Sequence, residues 1–275
     1  MSSATPTQTD PTTGSVGRKT PRVDLDTTRE RLDRLGLMHA SEVLSEALGK
    51  ATKEELAPHR FLDGLLETEL QHREDRRLKT SLKLSGLPTG QTLGNFDFSF
   101  QPSVERSRIE TLGTCAFIRE KESLLIQGPP GVGKTHLAIA LGVRAVENGF
   151  SVLFMRLEDL LAAMKRDADA GPSRLRRKKY MNVALLVIDE VGFEPMSRQE
   201  ASWFFRLVSH RYGRGSILIT TNKGIRDWPE VLAGDEVLAT AILDRLLHRS
   251  HVLNITGRSY RLRDLEQATQ AGRGE

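Results

Sequence analysis

The eight residues Gly128-Pro129-Pro130-Gly131-Val132-Gly133-Lys134-Thr135 constrain this chain more than any other stretch. They fit the pattern G-x-x-x-x-G-K-[ST], in which glycines let backbone N–H groups close around phosphates while a helix starts directly behind them. Such a loop needs a strand before it and a helix after it. The flanks supply both: Leu124 to Gln127 reads as a short buried strand and Thr135 to Asn148 as a helix. A plain glycine turn accounts for the glycines but not for the Lys134-Thr135 pair. The stretch from Gly128 to His136 is therefore the candidate nucleotide-phosphate cradle.

From Ser123 onward the pattern alternates between strands and helices, which implies an α/β fold with a mostly parallel sheet covered on both faces. The expected strands are Leu124–Gln127, Val152–Met155, Ala184–Asp189, Ser216–Thr220 and Val252–Ile255. Helices are expected around Thr135–Asn148, Glu158–Asp167, Ser197–Tyr212 and Thr240–Leu247. Ahead of this region, residues 1–24 are rich in Ser, Thr, Pro and Gly and read as a disordered tail. Residues 25–86 read as a small all-helical module, with Phe61, Leu62, Leu65, Leu66 and Leu70 as one face of a helix that starts near Pro58. A linker over 87–102 leads to the α/β domain at 103–268, and 269–275 reads as a second disordered tail. The linker holds Phe96, Phe98 and Phe100 in alternation. They fit a strand face packed on the next domain or an apolar wall near a nucleotide base.

The strand Leu185-Leu186-Val187-Ile188 ends in Asp189-Glu190. That places Asp189 at a carboxyl edge, where ligands gather in open α/β sheets. There it can share a Mg²⁺ ion with the Thr135 hydroxyl while Lys134 neutralises the β and γ phosphates of ATP. Glu190, aimed differently, is placed to polarise an attacking water, which favours hydrolysis over phosphate transfer to a small molecule. The next strand ends in Thr221-Asn222, and an amide beside the γ-phosphate can position that water.

With the loop, Asp189-Glu190, Asn222 and Arg245 in this order, the chain resembles the IstB-like ATPases, transposition helpers of bacterial insertion sequences within the AAA+ class. It is also similar to the related DnaC-type helicase loaders. The resemblance spans about Thr27 to Leu265. It is carried by Gly133-Lys134-Thr135-His136-Leu137-Ala138, by Ser197-Arg198-Gln199-Glu200-Ala201 through Arg211-Tyr212, by Ala241 to His248 and by Gly257-Arg258-Ser259-Tyr260-Arg261. The helical module and its Asn95-Phe96-Asp97-Phe98 junction favour the helper over the loader. The resemblance implies that Asn222 is the sensor-1 residue, Arg245 an arginine finger serving a neighbouring copy's ATP and Arg261 a sensor-2 residue on its own nucleotide. It further implies a homo-oligomer that assembles on DNA with ATP and engages a transposase. Two departures stand out: the Ser/Thr/Pro tail, and Lys223-Gly224-Ile225 in place of the apolar-proline turn usual after the sensor asparagine.

Charge locates the DNA expectation. Net charge is only +4, so clustering matters more than the total. Arg174-Leu175-Arg176-Arg177-Lys178-Lys179 puts five cations in six residues after a Gly171-Pro172 break. In a ring or spiral ATPase that loop would face a duplex and contact its backbone without reading sequence. The charged half of the long N-terminal helix, with Arg73, Arg76 and Arg77, reads equally as a solvated face or as a contact surface for a DNA backbone or an acidic partner. Cys115 is the single cysteine, which excludes an intrachain disulfide and fits a reducing compartment. No apolar run approaches the roughly 18 residues of a membrane span, so no membrane partner and a cytoplasmic location are expected. Three rivals to the transposition helper remain open: a helicase loader, a P-loop kinase of a small molecule, and a DNA-binding scaffold in which nucleotide is structural.

Overall fold

The computed structural model describes residues 24–169 and 178–263. Residues 1–23 of the expected N-terminal tail, the expected C-terminal tail, and Arg174, Arg176 and Arg177 of the basic run lie outside the described residues; Asp24, expected as the last residue of the tail, instead caps the first helix. The chain divides into two compact units, Met1–Asp75 and Arg76–Glu275.

The first unit is helical. Helices α1 (Leu25–Arg34) and α2 (Met38–Lys53) precede α3 (Pro58–Ser85), which continues into the second unit. Asp24 caps α1 by accepting a 2.8 Å bond from the Thr27 N–H. A small core of Ala40, Leu44 and Leu65 is flanked by Leu32, Leu37, Val43, Ala47 and Phe61. At the edge of this core lies Glu69, only 4% exposed. Its carboxylate accepts from the Ala40 N–H at 2.8 Å and from Arg73 Nε at 2.7 Å. Burial alone would raise the Glu69 pKa, yet the bonds from Ala40 and Arg73 prevail and hold it below the ordinary carboxylate value.

A carboxyl lowered on folding contributes stability above its unfolded pKa and loses it as pH falls through the folded one. Glu69→Ala is therefore expected to destabilise the helical unit by about 1–3 kcal/mol at neutral pH, because the Ala40 N–H is left buried without an acceptor. The deficit should shrink in acid, below the ordinary carboxylate range. Hydrogen exchange of the α2 amides under mild urea reads this, and an equal deficit in acid and at neutral pH would exclude the charge as its source.

The second unit carries a five-stranded parallel sheet in the order β2-β3-β4-β1-β5. The strands are β1 (Ser123–Gln127), β2 (Val152–Arg156), β3 (Leu185–Val191), β4 (Ser216–Thr221) and β5 (Ser250–Asn254). Helices α4 (Arg106–Gly113) and α5 (Ala116–Arg119) precede β1, and α6 (Lys134–Glu147) follows it. The remaining helices are α7 (Leu157–Asp169), α8 (Lys179–Asn182), α9 (Arg198–Arg211), α10 (Trp228–Val231) and α11 (Glu236–Leu247).

Side chains on successive strand residues point to opposite faces, so this sheet has two cores. Leu124, Ile126, Leu185, Val187 and Leu218 pack with α4, α5 and α6. Leu125, Leu186, Ile188, Ile217 and Ile219 pack with α7, α9 and α11. Arg211, at the end of α9, is 1% exposed and donates to the carbonyls of Tyr180, Val183 and Ser216 at 3.1, 2.9 and 2.7 Å. Burial pushes its pKa down to about 10, so it stays charged at neutral pH and ties α9 to the starts of β3 and β4.

Candidate functional site

The loop between β1 and α6 has the backbone that its glycines allow. Gly131 and Gly133 have φ of 80° and 95°, in the left-handed region that side chains resist. Space is as restrictive as torsion. A Cβ at Gly131 would lie 2.0 Å from Ser259 Oγ, and one at Gly133 would lie 2.7 Å from the Phe96 ring. The Tyr260 N–H donates to the Gly131 carbonyl at 2.9 Å. The loop is thus held from one side by the linker and from the other by the segment after β5. Lys134 Nζ donates to the carbonyls of Gly128 and Pro129, both at 2.8 Å. Burial lowers its pKa, nearby Asp189 opposes that, and Arg261 reinforces it. Arg261 and Lys134 therefore act on the same small volume.

Asp189 and Glu190 are separated by a kink in β3. Ile188 pairs with Ile219 and Val191 with Thr221, so two residues of β3 face the single Thr220. This bulge re-aims consecutive side chains. Asp189 is 2% exposed and accepts from Thr135 Oγ1 at 3.0 Å and Thr220 Oγ1 at 2.5 Å. Glu190 takes φ 64°, and its N–H donates to Thr220 Oγ1 at 3.0 Å. The Glu190 side chain turns outward, with Oε2 3.6 Å from Arg156 Nε. A left-handed non-glycine residue costs on the order of 1 kcal/mol, and here that cost separates a buried carboxylate from an accessible one.

A cavity of 470 Å³ joins these parts. Lys134, Thr135, His136, Glu190, Asn222 and Arg261 all line it. Asp189 lies beneath Thr135 through their hydrogen bond. Away from the phosphate loop the walls are Gln91, Asn95, Phe96 and Tyr260. His136 Nε2 is 2.9 Å from the Thr92 carbonyl oxygen, and its ring meets the Phe96 edge at a centroid separation of 5.3 Å. The alternating phenylalanines do not form a strand face: residues 91–100 contain turns and irregular backbone but no strand. The Asp97 carboxylate accepts from the N–H groups of Ser99 and Phe100 at 3.1 and 3.0 Å, closing a side-chain-capped turn that breaks the alternation. Phe96 becomes a wall of the cavity.

The site suits a nucleotide held with a hard cation. The Thr135 hydroxyl and the Asp189 carboxylate, 3.0 Å apart, are the oxygen donors that Mg²⁺ prefers, and Lys134 sits among carbonyls that a phosphate can replace.

Arg245 lies elsewhere. It lines a second cavity with Ser123 at the start of β1, Gly215 just before β4 and Arg249 just before β5. This is the opposite edge of the sheet from the phosphate loop, which follows the end of β1. Four residue steps along β1 separate the edges by roughly 13 Å.

The basic candidates divide as well. Arg73 Nη2 donates to the Gly36 carbonyl in addition to its Glu69 pairing. Lys178 pairs with Asp167 at 2.6 Å, and Lys179 donates to the Leu84 carbonyl. Arg76 is exposed, and Arg77 Nη1 is 3.7 Å from where a Cβ on Gly149 would sit.

Three residues of the site escape sequence reasoning: Thr220, Arg156 and Tyr260. Thr220 is hidden because a hydroxyl inside an apolar strand reads as β-propensity alone. Arg156 had a usable signal, as the last residue of the strand whose register sets it opposite Asp189.

Comparison with known proteins agrees with this geometry. The family described as IstB-like ATP binding protein matches residues 30–268. A Pseudomonas aeruginosa protein named as the ATP-binding protein of insertion sequence IS21 is 46% identical over 86% of this chain and 89% of its own length. A Geobacillus stearothermophilus protein named likewise for IS5376 is 39% identical over 86% of this chain and 93% of its own. Among solved structures, AMPPCP-bound DnaA from Aquifex aeolicus superposes with a TM-score of 0.52 at 20% identity, covering 68% of this chain and 56% of that one. That likeness concerns the fold alone.

Proposed function

The chain belongs to the IstB-like ATP binding protein family, and on that premise we propose that it is an AAA+ ATPase that assembles on duplex DNA with ATP and serves a transposase as its helper. The observation that carries the hydrolytic reading is the pair of carboxylates that the β3 bulge separates, one buried on Thr135 and one facing the cavity. Relatives named for insertion sequences favour the transposition helper over the helicase loader.

Each role follows from position. Lys134 leaves the carbonyls of Gly128 and Pro129 for the phosphates, and its permanent companion in charge is Arg261. Thr135 and Asp189 would hold Mg²⁺, which supplies Lewis-acid stabilisation of phosphate charge when bound. Glu190 takes a proton from the attacking water, and Asn222 holds that water in line. Arg245 lies about 13 Å of strand away at the other edge of the sheet, beyond the reach of its own side chain, so the nucleotide it serves is a neighbour's. A site completed by another copy makes hydrolysis depend on assembly. DNA contact is assigned to the basic run Arg174, Arg176, Arg177, Lys178 and Lys179 and to Arg73, Arg76 and Arg77, of which Arg73, Lys178 and Lys179 also bind within the chain.

Phosphate release measured with and without duplex DNA, beside sizing of the complex with ATP, tests this reading. Turnover is expected to rise with DNA and with protein concentration, and the log–log salt slope of the DNA-binding constant to shrink by about 0.9 for each phosphate contact removed. Turnover indifferent to DNA together with phosphate transfer to a small acceptor would mark a kinase. Absence of phosphate release with DNA bound would mark a scaffold.

A further inference from the structure

Arg245 sits in the last turn of α11, yet it does not hang free from the helix. Its Nη1 donates to the Ala241 carbonyl at 2.7 Å, one turn back. Its guanidinium carbon lies 5.0 Å from the centre of the Phe205 ring on α9. Among the described residues no carboxylate pairs with it within ion-pair distance, although Asp244 is its neighbour in sequence. An arginine on a surface helix ordinarily samples many rotamers, because its side chain is long and its charge well hydrated. Here one edge is fixed by a carbonyl and one face by a ring, and the half-buried side chain still lines the second cavity. Of five guanidinium N–H donors the carbonyl uses one, so the remaining edge is left for a ligand.

Phe205 itself is only half-buried. The residues around it on α9, Phe204, Leu207 and Val208, are the ones buried against Ala239, Ile242 and Leu246 of α11. Phe205 packs against the margin of this core, and its ring also carries the Arg245 cation.

We infer that Phe205 is a positioning residue for the trans-acting arginine: its ring fixes the plane and reach of the Arg245 guanidinium, so that when a second copy docks, the triphosphate on that copy meets an ordered donor. This rests on the reading of Arg245 as a finger. Ordering the donor beforehand removes an entropy cost from the hydrolytic transition state, and misplacement of a charge-stabilising group is felt mainly there.

The test is steady-state hydrolysis by the full chain, at saturating DNA and protein, for Phe205→Leu, Phe205→Tyr, Arg245→Ala and the double variant Phe205→Leu/Arg245→Ala. Phe205→Leu should lose on the order of tenfold in kcat, with KM for ATP and ATP binding by the protomer unchanged. Phe205→Tyr keeps the ring face and should stay near the parent rate. In the Arg245→Ala background the leucine should cost nothing further. A tyrosine variant as slow as the leucine one, a leucine variant at the parent rate, or an equal leucine penalty without Arg245 would each overturn the assignment. The two possible failures separate cleanly. Full stimulated turnover by Arg245→Ala removes the finger reading itself, whereas a slow Arg245→Ala beside a normal Phe205→Leu removes only the role of the ring. Thermal unfolding of the Phe205 variants guards against lost folding, and if the leucine one unfolds Phe205→Met, which keeps the bulk without the ring face, takes its place with the same expected loss of about tenfold.

Discussion

Glu190→Gln is expected to lower steady-state ATP hydrolysis by about 10²–10⁴-fold, the usual contribution of a positioned general base, while ATP binding persists. Glutamine keeps the size of the side chain, and the left-handed backbone at φ 64° suits it no worse than glutamate. What it lacks is the ability to accept a proton. Because Lys134, Thr135 and Asp189 are untouched, the variant should load nucleotide normally and remain assembled on DNA, since the event that would release it no longer occurs. Phosphate release, nucleotide binding and DNA-bound sizing on the same preparation separate these effects. Hydrolysis at the parent rate would falsify the base assignment. The Arg156 contact at 3.6 Å gives the substitution a second signature, because a neutral amide no longer attracts that guanidinium.

Arg245→Ala is expected to be the other severe loss, about 10³–10⁵-fold in assembly-stimulated turnover if the arginine stabilises charge on the transferring phosphoryl group. Its character differs from that of Glu190→Gln. Each protomer should still bind ATP, because Arg245 is on the far edge of the sheet from its own loop, but nucleotide should no longer promote oligomers. Mixing gives the decisive result. A chain carrying Arg245→Ala supplies an intact loop, and one carrying Glu190→Gln supplies an intact finger, so the mixture should regain turnover that neither has alone. Two inactive parents whose mixture stays inactive would place both residues in one protomer's site.

The strands were legible because a parallel sheet buried on both faces leaves near-continuous apolar runs. Five were expected and five are present among the described residues, their ends shifted by no more than two residues. The helix expected from Thr240 begins instead at Glu236, where Asp235 accepts a 2.9 Å bond from the Leu238 N–H. An Asp cap was there to be read, but Glu236 and Val237 obscured the apolar period. Helices α4 and α5 went unassigned because each is short, and Cys115 takes φ 61° between them, a left-handed step that no cysteine advertises. For the site, motif spacing sufficed to bring Lys134, Thr135, Glu190 and Asn222 to one cavity, since each lies at or just beyond the carboxyl end of a strand that was readable along the chain. The β3 bulge was not readable. It arises from pairing with β4, a partner separated along the chain by all of α9, and a local pattern carries no trace of such a contact.

The grip on the phosphate loop has a consequence for how the protein comes into being. Phe96 presses on Gly133 from before β1, while Ser259 and Tyr260 press on Gly131 from beyond β5. The contact of Gly131 with Ser259 joins residues 128 apart in sequence (259 − 131), and closing so long a loop is among the later events of folding. A ribosome that has just finished the glycine-rich motif has therefore made the sequence of a nucleotide site without the site. Only when the segment beyond β5 has emerged can the loop be clasped and Arg261 brought beside Lys134. A chain cut short before Ser259 would carry every residue of the loop and lack the contacts that hold it from beyond β5.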